Sequence, residues 1–140
     1  MMLFKKKLLK THKPAINSCE YKSTILYRGR IGIKALDKGW LELSQFNAIK
    51  HYLKRFFKKK RGSIWFRLFP ERYVTKKSLG NARMGKGKGA LDRIVLYVKK
   101  GQILLEIKLK NKNNELFLFN LLKQCQYKLP INTKLFFSQQ

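Results

Sequence analysis

The residues best suited to chemistry form a short run in which glycines alternate with lysines. We name this run the Gly/Lys loop; it consists of Arg83, Met84, Gly85, Lys86, Gly87, Lys88 and Gly89. Glycine allows backbone to approach a ligand closely and to adopt positive φ, and the lysines place positive charge beside that backbone. The pattern predicts a loop that contacts an anion. A flexible linker is the alternative, because glycine and lysine are common in exposed loops.

The segment from Gly80 to Gly87 comes close to the phosphate-binding pattern of nucleotide hydrolases, G-x-x-x-x-G-K-[ST]. It departs from that pattern because Gly87 has no hydroxyl group for magnesium, and no clear buried strand leads into Gly80. The chain after Gly89 continues into the β-rich run Ile94 to Val98, where such a site needs a helix N-terminus to hold the phosphate. These departures argue against a nucleotide-hydrolysing site.

Few residues are available for acid–base or metal chemistry. The chain has seven carboxylates, and the two closest in sequence are Asp37 and Glu42, which leaves little material for paired-carboxylate catalysis or an acidic metal cage. Cys19, Cys125 and the two histidines lack metal-ligand spacing. The cysteine pattern fits burial in a reducing compartment better than a disulfide framework. We therefore predict no metal, no cofactor and no enzymatic activity; a nuclease or phosphotransferase is the enzyme alternative.

The charge balance indicates a polyanionic partner. The 140 residues carry 33 Lys and Arg against 7 Asp and Glu, a formal charge of +26, and such a density repels itself unless a polyanion neutralises it. Nucleic acid is the predicted partner. An anionic membrane surface would also attract lysines, but no apolar run approaches the roughly 18 to 20 residues of a membrane-spanning helix.

A basic helix is predicted from Ser44 to Arg61, because its apolar residues recur at helical spacing. Ser44 is the candidate N-cap and Gly62 the candidate stop. Like charges four residues apart on a helix cost roughly a few tenths of a kcal/mol per pair unless an anion screens them. We therefore predict contact with an RNA backbone, a solvated charged face being the alternative. The predicted contacts are Lys50, Lys54, Arg55, Lys58, Lys59, Lys60 and Arg61.

Two short strands, Ser23 to Tyr27 and Ile31 to Leu36, are predicted on either side of a basic turn. Arg28, Arg30 and Lys34 are predicted to face RNA phosphates from this region.

A further strand is predicted from Ile64 to Phe69, before Pro70. It contains Arg67, another predicted RNA contact. We assign Trp65 and Phe69 to the core in preference to a base-stacking surface, because aromatic residues in strands are more often buried.

The C-terminal half predicts a hairpin, a helix and a strand. Ile94 to Val98 and Ile103 to Ile107 are predicted to pair as an antiparallel hairpin, and Thr133 to Phe137 is the last strand. The segment from Glu71 to Asn81 shows no periodicity. The helix between Glu115 and Tyr127 is predicted to turn four residues inward, namely Leu118, Leu121, Leu122 and Cys125.

The order of elements predicts an α+β fold, with two helices packed on a largely antiparallel sheet. Its length and apolar content suit a single core. We assign residues 1–22 to a basic N-terminal extension and residues 23–140 to one RNA-binding domain. Met1 to Lys13 is predicted to contact RNA, a frayed terminus being the alternative.

Several runs, in this order along the chain, resemble the bacterial-type large-subunit ribosomal protein L-sixteen family. The resemblance covers roughly Lys10 to Phe137, and the arginine-led Gly/Lys loop is its most specific part. The runs that carry it are Gly32 to Leu36, Gly62 to Pro70, Arg83 to Gly89, Gly101 to Ile107 and Lys128 to Lys134.

The resemblance implies a structural constituent of the large ribosomal subunit that binds its rRNA and joins late in assembly. It also implies that the Gly/Lys loop points toward aminoacyl-tRNA and the peptidyl-transferase region, and that neighbouring large-subunit proteins are partners. The excess of lysine, 25 against 8 arginines, is typical of an AT-rich coding sequence. It favours a mitochondrial ribosome, with bacterial cytoplasm as the alternative. A non-ribosomal RNA-binding module or RNA chaperone is the alternative function.

Overall fold

The computed structural model describes Lys10, His12 and residues 19–57, 62–70, 72–78, 80, 85, 87–110 and 115–138. Seven strands and two helices follow one another in this part of the chain. They are β1 Ile31–Ala35, β2 Gly39–Glu42, α1 Leu43–Phe57, β3 Gly62–Phe66, β4 Arg72–Lys76, β5 Ala90–Val98, β6 Ile103–Leu109, α2 Glu115–Tyr127 and β7 Thr133–Phe137.

The strands form two antiparallel sheets. The first has the order β3-β6-β1-β7 and the second the order β2-β5-β4. Ile33, in the middle of β1, pairs with Leu105 on β6 and with Leu135 on β7. The predicted α+β class, with two helices and antiparallel strands, is confirmed.

Both helices turn an apolar stripe toward one continuous core. Phe46, Ile49 and Leu53 of α1 are buried, and the neighbouring Phe56 and Phe57 are half-buried against the same core. The four residues of α2 predicted to face inward are all buried: Leu118, Leu121, Leu122 and Cys125. The period of 3.6 residues therefore identified the buried face of each helix correctly.

The start of α1 differs from the predicted cap at Ser44. The helix begins at Leu43, and the backbone N–H of Glu42 donates to Oε1 of Gln45 at 3.0 Å. This contact is one half of a capping box, in which the third helical side chain reaches back to the cap residue. Ser44 lies in the first turn, and Gly62 is the first residue of β3 instead of the residue that ends the helix.

The predicted hairpin between Ile94 to Val98 and Ile103 to Ile107 is wrong. The turn between β5 and β6 is present, with Gln102 N donating to Lys99 O at 3.2 Å, but the two strands belong to different sheets. Neither strand has an unpaired edge along which the other could form hydrogen bonds. Strand β5 is the central strand between β2 and β4, and β6 is enclosed by β3 and β1.

Three further boundaries also differ from the prediction. Residues 23–27 form bends instead of a strand. The segment 71–81, which showed no periodicity, contains β4. Phe69 follows the end of β3 and is 69% exposed, so its assignment to the core is wrong. Trp65 is half-buried but does not pack against the hydrophobic core, so its assignment is not borne out either.

Candidate nucleic-acid interface

The Gly/Lys loop lies at the end of a β-hairpin. Strands β4 and β5 pair antiparallel, and the last pair of their register joins Lys76 to Ala90. The intervening residues 77–89 therefore form the hairpin connection, which contains the loop. Because β5 is anchored on its other edge by β2, the hairpin stems from the central strand of a sheet. Of the described loop residues, Gly85, Gly87 and Lys88 are exposed.

The glycines of this loop are required for two different structural reasons. Gly85 and Gly87 adopt φ values of 77° and 83°, which strain any residue with a Cβ. Gly89 lies so close to β4 that a Cβ would sit 2.4 Å from the carbonyl oxygen of Lys76. The carbonyl oxygen of Lys88 accepts a hydrogen bond from Nζ of Lys10 at 3.2 Å. Arg83, Met84 and Lys86 of the predicted loop site lie outside the described residues.

Helix α1 presents basic side chains on its exposed side. Lys54 and Arg55 are exposed in the last turn, and Lys50 is half-buried one turn earlier. Lysines placed near the C-terminal end of a helix also interact favourably with its dipole. The other predicted contacts on this helix, Lys58, Lys59, Lys60 and Arg61, lie outside the described residues.

The basic residues around β1 are engaged to different degrees. Arg28 is exposed, while Nη1 of Arg30 is 4.0 Å from a carboxylate oxygen of Glu115 with 40% of its side chain exposed. Nζ of Lys34 donates to the carbonyl of Thr24 at 3.3 Å and lies 4.8 Å from the ring centre of Phe136. Arg28 is therefore the basic side chain of this group most open to an external phosphate.

Glu106 fixes the backbone of the segment that contains Arg28. Its Oε2 atom accepts hydrogen bonds from the backbone N–H groups of Tyr27, Arg28 and Gly29, at 3.2, 2.8 and 2.9 Å. Its Oε1 atom accepts one from Nη1 of Arg67 at 2.7 Å. Glu106 is 2% exposed, so a charged carboxylate is buried here with four donors around it. These donors replace the water that the carboxylate loses.

The pKa of Glu106 lies below its ordinary value of 4.5. Burial acts in the opposite direction, because it disfavours the charged form. The hydrogen bonds from the backbone of Gly29 and Arg28, the positive charge of Arg67 and the bond from Tyr27 together outweigh burial. The carboxylate is consequently ionised in the folded protein at neutral pH.

Arg67 is largely occupied inside the protein. Its Nη1 atom also donates to the carbonyl of Ile25 at 2.7 Å, and its side chain is 21% exposed. The guanidinium carbon lies 5.1 Å from the ring centre of Tyr27. Arg67 thus fixes residues 25–27, and its contact with RNA stays a prediction.

Sequence reasoning missed the role of Glu106 and the exposure of Tyr27 and Phe69. A signal for the first was available, because Glu106 is the one acid in the apolar strand run Ile103 to Ile107. A buried acid in such a position requires hydrogen-bond donors. The backbone N–H groups of glycines and the guanidinium groups of arginines can provide them. The identity of those donors depends on contacts nearly 80 positions apart, which spacing does not reveal.

The described residues contain no group of three or more histidine, cysteine or acidic side chains that could hold a metal ion. Burial raises the pKa of the Cys125 thiol to about 12, against the opposing charge of Lys128, so this thiol stays protonated. Cys19 is exposed and also free. No helix in the described ranges is both long and apolar enough to cross a membrane.

Comparison with known proteins agrees with the architecture and the charge. The family model described as Ribosomal protein L16p/L10e matches residues 4–136. Large ribosomal subunit protein uL16c of Emiliania huxleyi is 37% identical over 129 residues, which is 92% of this chain and 90% of the relative.

Two further relatives carry the name Large ribosomal subunit protein uL16. The protein of Karelsulcia muelleri is 36% identical over 130 residues, covering 93% of this chain and 92% of the relative. The protein of Protochlamydia amoebophila is 41% identical over 85 residues, covering 61% of this chain and 60% of the relative. The match spans both sheets, both helices and the Gly/Lys loop, and the chain therefore belongs to the ribosomal protein L16p/L10e family.

Proposed function

We propose that this protein is a structural constituent of the large ribosomal subunit that binds large-subunit rRNA. The family match over residues 4–136 is the observation that carries the proposal. The relatives are themselves named as large-subunit proteins. A structural, non-enzymatic role follows for this chain, and no catalytic residue is assigned.

The electrostatics support a polyanionic partner of this kind. A formal charge of +26 on 140 residues needs external neutralisation, and rRNA supplies one negative charge per nucleotide. Lys54 and Arg55 are exposed on α1, which packs on the core, and Arg28 is exposed on the segment whose backbone bonds to Glu106. Each would bind a phosphate group through its charge. Such contacts position the protein on the RNA and do not depend on the RNA sequence.

We further propose that the Gly/Lys loop approaches the aminoacyl-tRNA and the peptidyl-transferase region. The support comes from the position of the loop in the connection between β4 and β5, and from the exposure and positive φ of Gly85 and Gly87. A loop of this type brings backbone N–H groups and positive charge close to phosphate oxygens. Assistance to late subunit assembly belongs to the same proposal.

The basic tail at residues 1–22 and contacts with neighbouring large-subunit proteins complete the proposed role. The ribosome concerned is proposed to be mitochondrial, on the lysine-rich composition, with a bacterial cytoplasmic ribosome as the alternative.

Co-sedimentation tests the assignment directly. The tagged chain should migrate with the large ribosomal subunit in sucrose gradients after a high-salt wash, because a structural constituent is held by many contacts at once. Release by the wash, with the chain recovered on bulk RNA or free, would instead identify a general RNA chaperone.

A further inference from the structure

An open groove lies beside β3 on the surface of the four-stranded sheet. Its volume is about 670 Å³, within the size range of small-ligand sites. Four aromatic and two basic side chains line it together with Glu106, and we name it the aromatic groove. The aromatic and basic residues are Tyr27, Trp65, Phe66, Phe69, Arg28 and Arg67.

Two of the aromatic side chains of this groove are largely exposed. Tyr27 is 71% exposed and Phe69 is 69% exposed, while Trp65 is half-buried. Large aromatic surfaces gain free energy when they are covered, so two exposed rings beside the half-buried Trp65 indicate a site that is covered in the functional complex.

The walls of the groove are held by contacts within the protein. The backbone N–H groups of Tyr27 and Arg28 are held by Glu106, and the guanidinium group of Arg67 lies against the ring of Tyr27. Pro70 restricts the backbone of Phe69 to extended conformations. A site whose walls are fixed in advance loses little conformational entropy on binding.

We propose that the aromatic groove holds an unpaired base of RNA, with an adjacent phosphate at Arg28. This inference rests on the proposed rRNA-binding function and adds to it a recognition site for a base, separate from the Gly/Lys loop and from α1. Exposed aromatic rings stack on the flat face of any base, and a neighbouring arginine neutralises the phosphate that accompanies it.

The charge of the groove distinguishes this occupant from others. Two arginines and one carboxylate, that of Glu106, line the groove, and the carboxylate is already bonded to four donors. A cationic ligand, which aromatic cages otherwise accept, is therefore repelled. A base within a duplex is excluded as well, because both of its faces are already stacked.

Binding of two RNA probes to the purified full-length chain tests the proposal. The probes are a mixed-sequence single-stranded 12-mer and the 12-base-pair duplex of the same sequence. Phe69→Ala and Tyr27→Ala should each weaken binding of the single strand by roughly 5- to 150-fold, the change that corresponds to one lost base stack. Binding of the duplex should stay at the wild-type level.

Salt titration separates stacking from charge. The two aromatic variants should keep the wild-type dependence of single-strand affinity on salt, because stacking releases no counterions. Arg28→Ala should reduce the slope by about 0.7 log units of affinity per log unit of salt, as expected for one phosphate contact. The matched controls are Tyr127→Ala and Phe137→Ala, which remove aromatic rings that are 83% and 49% exposed on other elements. Both controls should bind like wild type.

Three results would overturn the inference. If wild type binds the single strand and both aromatic variants bind it equally well, the groove holds no base, while the ribosomal function stands. If the variants lose duplex and single-strand binding alike, the side chains support the fold and do not stack on a base. If wild type binds neither probe and does not co-sediment with the large subunit, the proposed function fails together with the groove.

Discussion

Arg67, the residue after β3, forms an ion pair with Glu106 of β6, with Nη1 and Oε1 separated by 2.7 Å. The pair does more than join the end of β3 to β6. Arg67 also holds the carbonyl of Ile25, and Glu106 holds three backbone N–H groups at residues 27–29. The segment that carries Tyr27 and Arg28 is therefore fixed to the sheet by one charged pair. Its placement in turn shapes the aromatic groove.

Removing the carboxylate should destabilise the protein strongly. Glu106→Ala leaves the Arg67 guanidinium and three backbone N–H groups without their acceptor, in a site that is 2% exposed. Breaking a buried pair by removing one partner costs about 3 to 5 kcal/mol. The free energy of unfolding, measured by urea denaturation, should fall by that amount. Asp92→Ala removes an exposed ion pair to Arg93 and should change it by less than about 1 kcal/mol. Equal effects of the two changes would contradict the assigned role of Glu106.

The same carboxylate predicts a loss of stability in acid. The pKa of Glu106 is lower in the folded protein than its ordinary value of 4.5. The unfolded chain therefore binds the proton more readily, and the contribution of Glu106 is present above pH 4.5 and lost as pH falls through the folded pKa. Glu106→Gln lacks this titration. The difference in unfolding free energy between wild type and Glu106→Gln should be constant from pH 7 to 5 and shrink below pH 4.5.

Glu20 does not disturb this comparison. Its pKa is also lowered: hydrogen bonds from the backbone of Lys22 and Ser23 and the interaction with Lys99 outweigh the effect of burial. Both proteins contain Glu20, so its contribution cancels in the difference. A difference that stays constant down to pH 3 would show that Glu106 does not titrate as assigned.

The helices and the positive φ of Gly85 and Gly87 were predictable because their determinants are local. The apolar stripe of α2 and the alternation of Gly85, Lys86 and Gly87 are visible within a few residues. The assignment of strands to sheets was not predictable in this way. The four-residue turn after β5 matches a hairpin, but pairing depends on which distant strands occupy the edges of β5 and β6.

The predictions for the segment before β1 and for strand β4 were wrong for related reasons. The run Ser23 to Tyr27 has β-forming side chains, yet the backbone at Tyr27 bonds to a carboxylate 79 positions away. Strand β4 has no alternation in burial, because four of its five residues are half-buried, and its extended form follows from pairing with β5. Tertiary contacts override local preference in both cases.

Gly89 should be the glycine of the loop region whose replacement affects folding most. A Cβ at this position would lie 2.4 Å from the carbonyl oxygen of Lys76, so backbone must shift where β4 and β5 separate. We expect Gly89→Ala to lower the free energy of unfolding by about 1 to 3 kcal/mol. Gly80→Ala is the control, because its Cβ would meet nothing within 4 Å. Its stability should be unchanged or slightly raised. If Gly89→Ala leaves the free energy of unfolding unchanged, the backbones of β4 and β5 lie farther apart at this end of the hairpin than in the structure.

The basic side of α1 should account for part of the salt dependence of RNA binding. Lys50→Ala combined with Lys54→Ala removes two of the predicted phosphate contacts on this helix. The dependence of rRNA affinity on salt should become shallower by about 1.5 log units per log unit of salt, the sum for two contacts. Lys123→Ala combined with Lys134→Ala removes the same charge from exposed positions elsewhere and should leave most of the slope intact. A salt dependence that is nearly flat in wild type would refute the electrostatic basis of binding.

The lysines of the Gly/Lys loop should affect function without affecting the fold. Lys86→Ala combined with Lys88→Ala changes no residue of the hydrophobic core, and the backbone oxygen of Lys88 that accepts from Lys10 is retained. The free energy of unfolding should therefore match wild type. Each lost charge-assisted contact to phosphate is worth about 1.5 to 3 kcal/mol, so large subunits carrying this variant should assemble late or bind aminoacyl-tRNA poorly.

Purified ribosomes carrying the Lys86→Ala and Lys88→Ala variant provide both measurements, subunit maturation in gradients and aminoacyl-tRNA affinity. Lys108→Ala combined with Lys110→Ala is the matched control, because it removes two exposed lysines beyond the predicted RNA contacts. If the loop variant matches this control in both measurements, the loop is a flexible linker and its charge has no role. If only the loop variant is defective, and its fold is intact, the defect belongs to contacts that the loop makes outside the protein.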